Sequence, residues 1–253
     1  MTLAITRPHP IHVREWIAEF YAAVADRGIA LLRRFWYGTR RIWWHSYWHL
    51  SVAGVEHVPH RGAMLLCSNH ASHLDAPAIL AALPVPLALR ASTAAAKDVF
   101  GNHRARSAVS RVMTNALPLQ RGATFARGLR ALEQVLSQRR PLVLFPEGRR
   151  SPDGELLAFK NGAAMLSIHT GAPIVPIYIE GVRNSLPRGS RVPLPADVGV
   201  RFAAPIDPRP YQRAIAQDTM TRRQAYERMT QQLKSAIQTL ATHHPAHGEG
   251  NGL

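Results

Sequence analysis

Between Ser68 and Asp75 the run Ser-Asn-His-Ala-Ser-His-Leu-Asp sets two imidazoles and a carboxylate within eight residues. As a base and its orienter, His70 would take a proton from a hydroxyl while Asp75 bonds the other ring nitrogen, fixing the tautomer and stabilising the imidazolium. Five residues apart on a helix the two side chains would diverge by about 140°, so the pair needs a loop between them. His70, His73 and Asp75 are also eligible metal ligands, but no second Cys/His cluster with ligand spacing lies nearby, and no metal site is expected. The structural alternative is that these side chains cap a helix and satisfy the loop's own amides.

A second cluster runs Phe145-Pro146-Glu147-Gly148-Arg149-Arg150-Ser151-Pro152-Asp153-Gly154. A carboxylate, a flexible glycine and two guanidiniums at the end of an apolar run can bind a hydroxyl and a phosphate together; as a bland alternative, they form a charged turn. Leu117-Pro118-Leu119-Gln120-Arg121-Gly122 offers one Arg before a helix, and Ala172-Pro173-Ile174-Val175-Pro176-Ile177-Tyr178 is structural by default.

The elements that must position these residues follow from the apolar pattern. Ala63 to Cys67 reads as a strand, the polar loop follows, and Pro77 to Leu83 reads as a helix. Leu87 to Ser92 is expected to be a second strand, Arg104 to Thr114 and Thr124 to Gln138 helices, and Pro141 to Phe145 a strand that runs straight into Glu147. Lys160 to Thr170 reads as a helix stopped by Gly171, and Ile174 to Ile179 as a strand which Pro176 would confine to an edge or a bulge. Asp197 to Phe202 adds a final strand, and Thr219 to Ala241 a long amphipathic helix. Alternating strands and helices predict an α/β fold, a single domain with a central mixed β-sheet flanked by helices. The expected organisation is a helical segment 1–50, a main domain 51–242 and a disordered tail 243–253.

Composition narrows the partners. The 253 residues carry 31 Lys and Arg against 16 Asp and Glu, a net charge of +15, which points to an anionic partner. Within residues 90 to 150, twelve basic residues face only Asp98, Glu133 and Glu147. Cys67 is the single cysteine, so an intramolecular disulfide is impossible and no oxidising compartment is required. The longest apolar candidate, Ala76 to Leu89, is broken by Pro77, Pro84 and Pro86 and falls short of the roughly 20 apolar residues that span a bilayer. With no signal peptide at the N-terminus, the expected location is the cytoplasmic side of the membrane.

All five tryptophans, Trp16, Trp36, Trp43, Trp44 and Trp48, lie in the first 50 residues. On a helix, Trp36, Tyr37, Trp43, Trp44, Tyr47 and Trp48 occupy an arc of roughly 140° that also holds Arg33 and Arg40. Rings at headgroup depth with Arg reaching lipid phosphates would make this an interfacial surface on an anionic membrane; the competing reading buries the aromatics against the domain. A nucleic-acid module is disfavoured, because the tryptophans are remote from the Arg-rich region instead of interleaved with it and no zinc finger, P-loop or Gly-x-Gly-x-x-Gly element is present.

Taken in order, Asn69-His70-x4-Asp75, Leu119-Gln120-Arg121, Phe145-Pro146-Glu147-Gly148-x-Arg150-Ser151 and Ile174-Val175-Pro176-Ile177 resemble the four-block signature of the glycerolipid acyltransferase family, which includes bacterial 1-acylglycerol-3-phosphate acyltransferases. The resemblance covers about residues 50 to 205. It implies that His70 is the general base and Asp75 its partner, that Arg121, Glu147, Gly148 and Arg150 contact the acceptor, and that Lys160, in Phe159-Lys160-Asn161-Gly162-Ala163, supplies a further basic contact. It also implies an acyl thioester donor, either acyl-CoA or acyl carrier protein, a lysophospholipid acceptor and no separate cofactor. Arg149 stands where Thr is usual in the family, and Gln120 where Asp or another polar residue often sits, so acceptors such as another lysophospholipid, a glycolipid or an amine-headed lipid remain open.

Overall fold

The computed structural model describes residues 28, 31, 32, 34, 35, 37–40, 42–96, 114–119, 125–186 and 192–242. Helix α1 runs through the described positions from 28 to 48. The main body then follows as β1 (Ser51–Ala53), a 3-10 turn (Val55–His57), β2 (Met64–Ser68), α2 (Asp75–Ala82), α3 (Val85–Arg90), β3 (Ser92–Ala96), β4 (Ala116–Leu119), α4 (Phe125–Ser137), β5 (Pro141–Leu144), α5 (Gly162–Thr170), β6 (Ile174–Glu180), α6 (Val182–Ser185), β7 (Gly199–Phe202), α7 (Arg209–Ala216) and α8 (Arg222–Thr242).

The seven strands form one sheet in the order β1-β7-β6-β2-β5-β3-β4. Every pairing is parallel except β6 with β7, so the sheet is mixed, as expected from the alternation of elements. In β2 the period-two pleat divides the apolar run: Met64 and Leu66 enter one core with Ile79, Leu80, Val143, Val175 and Ile177, whereas Leu65 and Cys67 enter the other with Leu136, Leu142, Leu166, Met229 and Leu233. Both faces of β2 are therefore covered by helices, which is why its sequence is continuously apolar and not alternating.

Three expectations are corrected. The segment Leu87 to Ser92 is not one strand: Pro84 and Pro86 start helix α3, the Ala91 amide closes onto the Leu87 carbonyl, and the strand begins only at Ser92. Proline's fixed φ suits a helix's first turn, and a short apolar run alone does not distinguish strand from helix. Pro176 is not at an edge, since it lies in a central strand between β2 and β7, but the expected bulge is present: the pairing slips by one residue beside it, from Ile177 with Phe202 to Ile174 with Ile206. Its missing N–H does no harm there, because its carbonyl and nitrogen side faces the segment just past β7, where Ala203 donates to the Pro176 carbonyl and the Ile174–Ile206 bridge resumes the pairing.

The third correction concerns α1. Tyr37, Trp44 and Trp48 are buried in the same core as the sheet, while Trp43 is exposed, so the aromatic arc is split between core and surface. Arg40 does not reach outward either. It is 1% exposed, lies with its guanidinium 4.1 Å from the Tyr37 ring centre, and donates to the Leu80 and Leu83 carbonyls. These are carbonyls at the C-terminal end of α2, where a cation meets the negative end of the helix dipole. The expected helices Arg104 to Thr114 and the tail 243–253 fall almost wholly outside the described residues.

Candidate active site

Because β2 and β5 are adjacent and parallel, the loops leaving their C-terminal ends emerge at the same edge of the sheet. Crevices outside such ends are the usual ligand sites of α/β sheets. The loop after β2 carries Asn69 to Leu74 and delivers Asp75 as the first residue of α2. The loop after β5 carries Phe145 to Asn161 before α5 begins.

Asn69 starts the geometry. Its buried side chain accepts from the Ile179 amide at 2.8 Å and donates to the Ile179 carbonyl at 2.9 Å, so it stands in for a further residue of the β2–β6 ladder and fixes the chain just before His70. The His70 ring then meets Asp75: Nδ1 to Oδ2 is 2.8 Å. The same Oδ2 accepts the amides of Ala71 and Ser72, each at 2.8 Å. An oxygen with two N–H donors on it is an acceptor, so the ring nitrogen facing it carries the proton and Nε2 keeps its lone pair. The Asp75 side chain is 2% exposed and the His70 side chain 20%, which leaves the imidazole open on one side only.

The β5 loop closes over the same ring. Phe145 stacks on the imidazole with centres 4.0 Å apart and planes 17° from parallel. Glu147, 3% exposed, accepts the His70 amide on Oε1 at 3.0 Å. The Ser151 amide donates to the His70 carbonyl at 2.7 Å. Burial pushes the Glu147 carboxyl above its ordinary range, and the amides of His70 and Leu157 act in the opposite direction.

Gly148 has φ +69, a conformation that L side chains rarely adopt, and it turns the chain outward immediately after Glu147. A Cβ at this position would stand 2.9 Å from Lys160 Nζ, so the lysine ammonium lies across the bare glycine. The Lys160 amide donates to the Pro146 carbonyl at 2.9 Å, which closes the base of this loop. Gly148, Arg149 and Lys160 are exposed and Arg150 is half-buried. Burial first, and then the charge of Arg150, hold His73 below its ordinary pKa.

His70, Asp75, Glu147, Gly148, Arg150 and Lys160 are thus brought to one edge, although Glu147 points inward. Arg121 lies outside the described residues. The sequence reading gave no separate role to Asn69, Phe145 or Ser151, all of which contact His70 or its neighbour; their signal was membership of the same two blocks. Cys67 is fully buried and its thiol is pushed up by desolvation, so it is no nucleophile. Among the described residues no group of three His, Cys, Asp or Glu is placed to hold a metal ion.

A pair of this kind, with one imidazole nitrogen on a carboxylate and the other turned away from it, can deprotonate a hydroxyl. The profile of the family described as Acyltransferase matches residues 49–180. The 1-acyl-sn-glycerol-3-phosphate acyltransferase of Limnanthes alba is 26% identical over 159 residues, covering 62% of this chain and 54% of the relative. The alpha form of that enzyme from Homo sapiens is 28% identical over 148 residues, 53% of this chain and 47% of the relative. The chain therefore spans about half the length of the curated relatives it matches. The crystal structure of the 1-acyl-sn-glycerophosphate (LPA) acyltransferase PlsC from Thermotoga maritima superimposes with a TM-score of 0.63 at 21% identity, over 89% of this chain and 90% of that one, a likeness of fold.

Proposed function

The chain belongs to the acyltransferase family, and from that premise we propose that it moves a fatty acyl group from an acyl thioester to the free hydroxyl of a lysophospholipid, in the simplest case 1-acylglycerol-3-phosphate, giving phosphatidate. The observation that carries this reading is the His70–Asp75 pair at 2.8 Å with Nε2 left free. His70 Nε2 takes the proton of the acceptor hydroxyl as its oxygen attacks the thioester carbonyl. The tetrahedral intermediate then expels the thiolate, which receives that proton from the imidazolium. Asp75 stabilises the imidazolium formed in between, so no acyl-enzyme is needed. Acyl-CoA and acyl carrier protein both fit as donors, and the reaction requires no further cofactor.

Arg150 and Lys160, the latter lying across the bare Gly148, are assigned to the acceptor's phosphate, with Arg121 as a third cation. Such a site favours anionic acceptors because a guanidinium or ammonium is matched by phosphate oxygens in a partly water-excluded crevice.

Acceptor and product both reside in lipid, and the surface of α1 suits that setting. Among the described residues the strongly exposed large hydrophobic side chains are Leu31, Leu32, Phe35, Ile42, Trp43, Val192 and Leu194. Five are on α1, and the other two are on a loop fastened to it: Tyr47 Oη donates to the Pro193 carbonyl at 2.9 Å and Trp48 Nε1 to the Leu194 carbonyl at 3.0 Å. At 100° per residue Leu31, Phe35 and Ile42 fall within about 40° of one another, well away from the buried Tyr37, Trp44 and Trp48. No helix among the described residues is long and apolar enough to cross a membrane. The α1 face therefore rests in the interface of an anionic membrane, on its cytoplasmic side, as an amphipathic helix does.

The test is product formation from labelled oleoyl-CoA and lysophosphatidate in detergent, beside lysophosphatidylcholine and the variant His70→Ala. Transfer to lysophosphatidate that disappears with His70 supports the assignment. Full activity in His70→Ala overturns the mechanism, and strict preference for a phosphate-free acceptor removes the phosphate role from Arg150 and Lys160.

A further inference from the structure

The block Phe145 to Ser151 serves two directions. Gly148, Arg149 and Arg150 lie on its outer side, whereas Phe145, Glu147 and Ser151 all meet a single residue across a gap of about 75 positions in sequence. The peptide groups on both sides of the His70 Cα are engaged: its amide by Glu147 Oε1 and its carbonyl by the Ser151 amide. The imidazole itself lies between the Phe145 ring on one face and the Asp75 carboxylate at its edge.

Glu147 cannot serve the acceptor from this position. One carboxylate oxygen already accepts the His70 amide, and the other, Oε2, is sealed from solvent.

We propose that Glu147 is a positioning residue for His70: its carboxylate, docked on the His70 amide, holds the base in register with Asp75, and the acceptor contacts of this block begin only at Gly148. The proposal rests on the transfer reaction assigned above. It divides the block at the glycine whose positive φ reverses the chain, so that consecutive residues face opposite ways, Glu147 toward the base and Gly148 to Arg150 toward the ligand. Phe145 acts with Glu147, since a ring packed flat on the imidazole limits its rotation out of the Asp75 plane. Misplacing a catalytic group by about 1 Å costs on the order of a hundredfold in rate.

The experiment compares the full chain with Glu147→Ala and Glu147→Gln under the transfer assay, varying lysophosphatidate and oleoyl-CoA separately. The expected result for Glu147→Ala is a kcat lower by about a hundredfold with KM for both substrates within about threefold of the parent. Glu147→Gln, whose amide oxygen can accept the same N–H, is expected to restore most of that kcat. A tenfold or greater rise in KM for lysophosphatidate with kcat retained, or a Gln variant as impaired as the Ala variant, would overturn the proposal in favour of an acceptor contact. Should Glu147→Ala fail to fold, the kcat and KM of Glu147→Gln and of Phe145→Leu decide by the same criterion. Nitrogen NMR of the His70 ring gives a readout that needs no turnover. The parent is expected to show two distinct ring nitrogens, protonated Nδ1 and bare Nε2, which move toward a common averaged value in Glu147→Ala; unchanged signals in that variant refute the positioning role. A parent chain that transfers no acyl group overturns the proposed reaction alone, and the ring signals still decide what Glu147 does.

Discussion

Replacing Asp75 by Asn isolates the charge of the pair from its geometry. Three donors converge on Oδ2: His70 Nδ1 and the amides of Ala71 and Ser72. An Asn amide group placed there would meet two backbone N–H groups, so the Asn side chain is obliged to put its oxygen in that place and to keep all three bonds. In the proposed mechanism, what is lost is the negative charge facing an imidazolium that forms only during the reaction. With the charges roughly 4 Å apart and an effective dielectric of about 20, their attraction is about 4 kcal/mol. The neutral amide retains a hydrogen bond worth about 1 kcal/mol, leaving a net loss of about 3 kcal/mol, or about two decades of rate at 1.36 kcal/mol per decade. The carboxylate side chain is nearly fully buried, so solvent screening does little to reduce the figure. The assay is the initial rate of transfer from oleoyl-CoA to lysophosphatidate at saturating concentrations of both, with circular dichroism to show that the fold is kept. A rate within threefold of the parent would refute the reasoning, because it would mean that no imidazolium develops beside Asp75.

Other consequences follow from the same geometry. Gly148→Ala is expected to cost about 1–2 kcal/mol of stability, since a Cβ is disfavoured at φ +69, and to raise KM for lysophosphatidate by displacing Lys160; an unchanged unfolding midpoint together with an unchanged KM would contradict both. Leu31→Ser, Phe35→Ser and Ile42→Ser combined should weaken binding to anionic liposomes by about a hundredfold, counting about 1 kcal/mol for each partly buried side chain, with little change in stability. Trp44→Ala, by contrast, should destabilise the fold by about 3–5 kcal/mol, and equal stability losses for the two sets in urea titrations would deny the division of α1 into two faces. Burial raises the folded-state pKa of Glu147 above its ordinary value of 4.5, so its cost to stability is fully present above the raised value and fades as pH falls toward 4.5. Glu147→Gln should therefore be more stable relative to the parent at pH 8 than at pH 5, and a pH-independent difference in urea midpoints would remove burial as the cause.

Much of this protein was legible in the order of its residues. The spacing His70-x4-Asp75 with polar residues between already required a turn, and the turn is what lets Asp75 gather the amides of Ala71 and Ser72 along with the ring. Apolar runs set off by Gly and Pro marked β2, β5, β6 and α5, because burial on both faces needs unbroken hydrophobicity. The α/β class followed from their alternation. Other features depend on partners far along the chain, and local pattern carries no information about these. How Pro176 could sit in a central strand was decided by the segment past β7, where Ala203 donates to the Pro176 carbonyl. The aromatic residues of α1 have one hydrophobic character but two environments, and the contact with α2 and the sheet selected which of them face the core. Arg40 is cationic in sequence and a cap for the α2 carbonyls in space. The same holds at the candidate active site: the parallel pairing of β2 with β5 sets Glu147 beneath the His70 amide, a contact that residue type and spacing do not announce. Residue type and spacing determined the chemistry available to this chain, and strand order determined which groups stand close enough to one another to perform it, because hydrogen bonds form at about 3 Å whatever the separation in sequence.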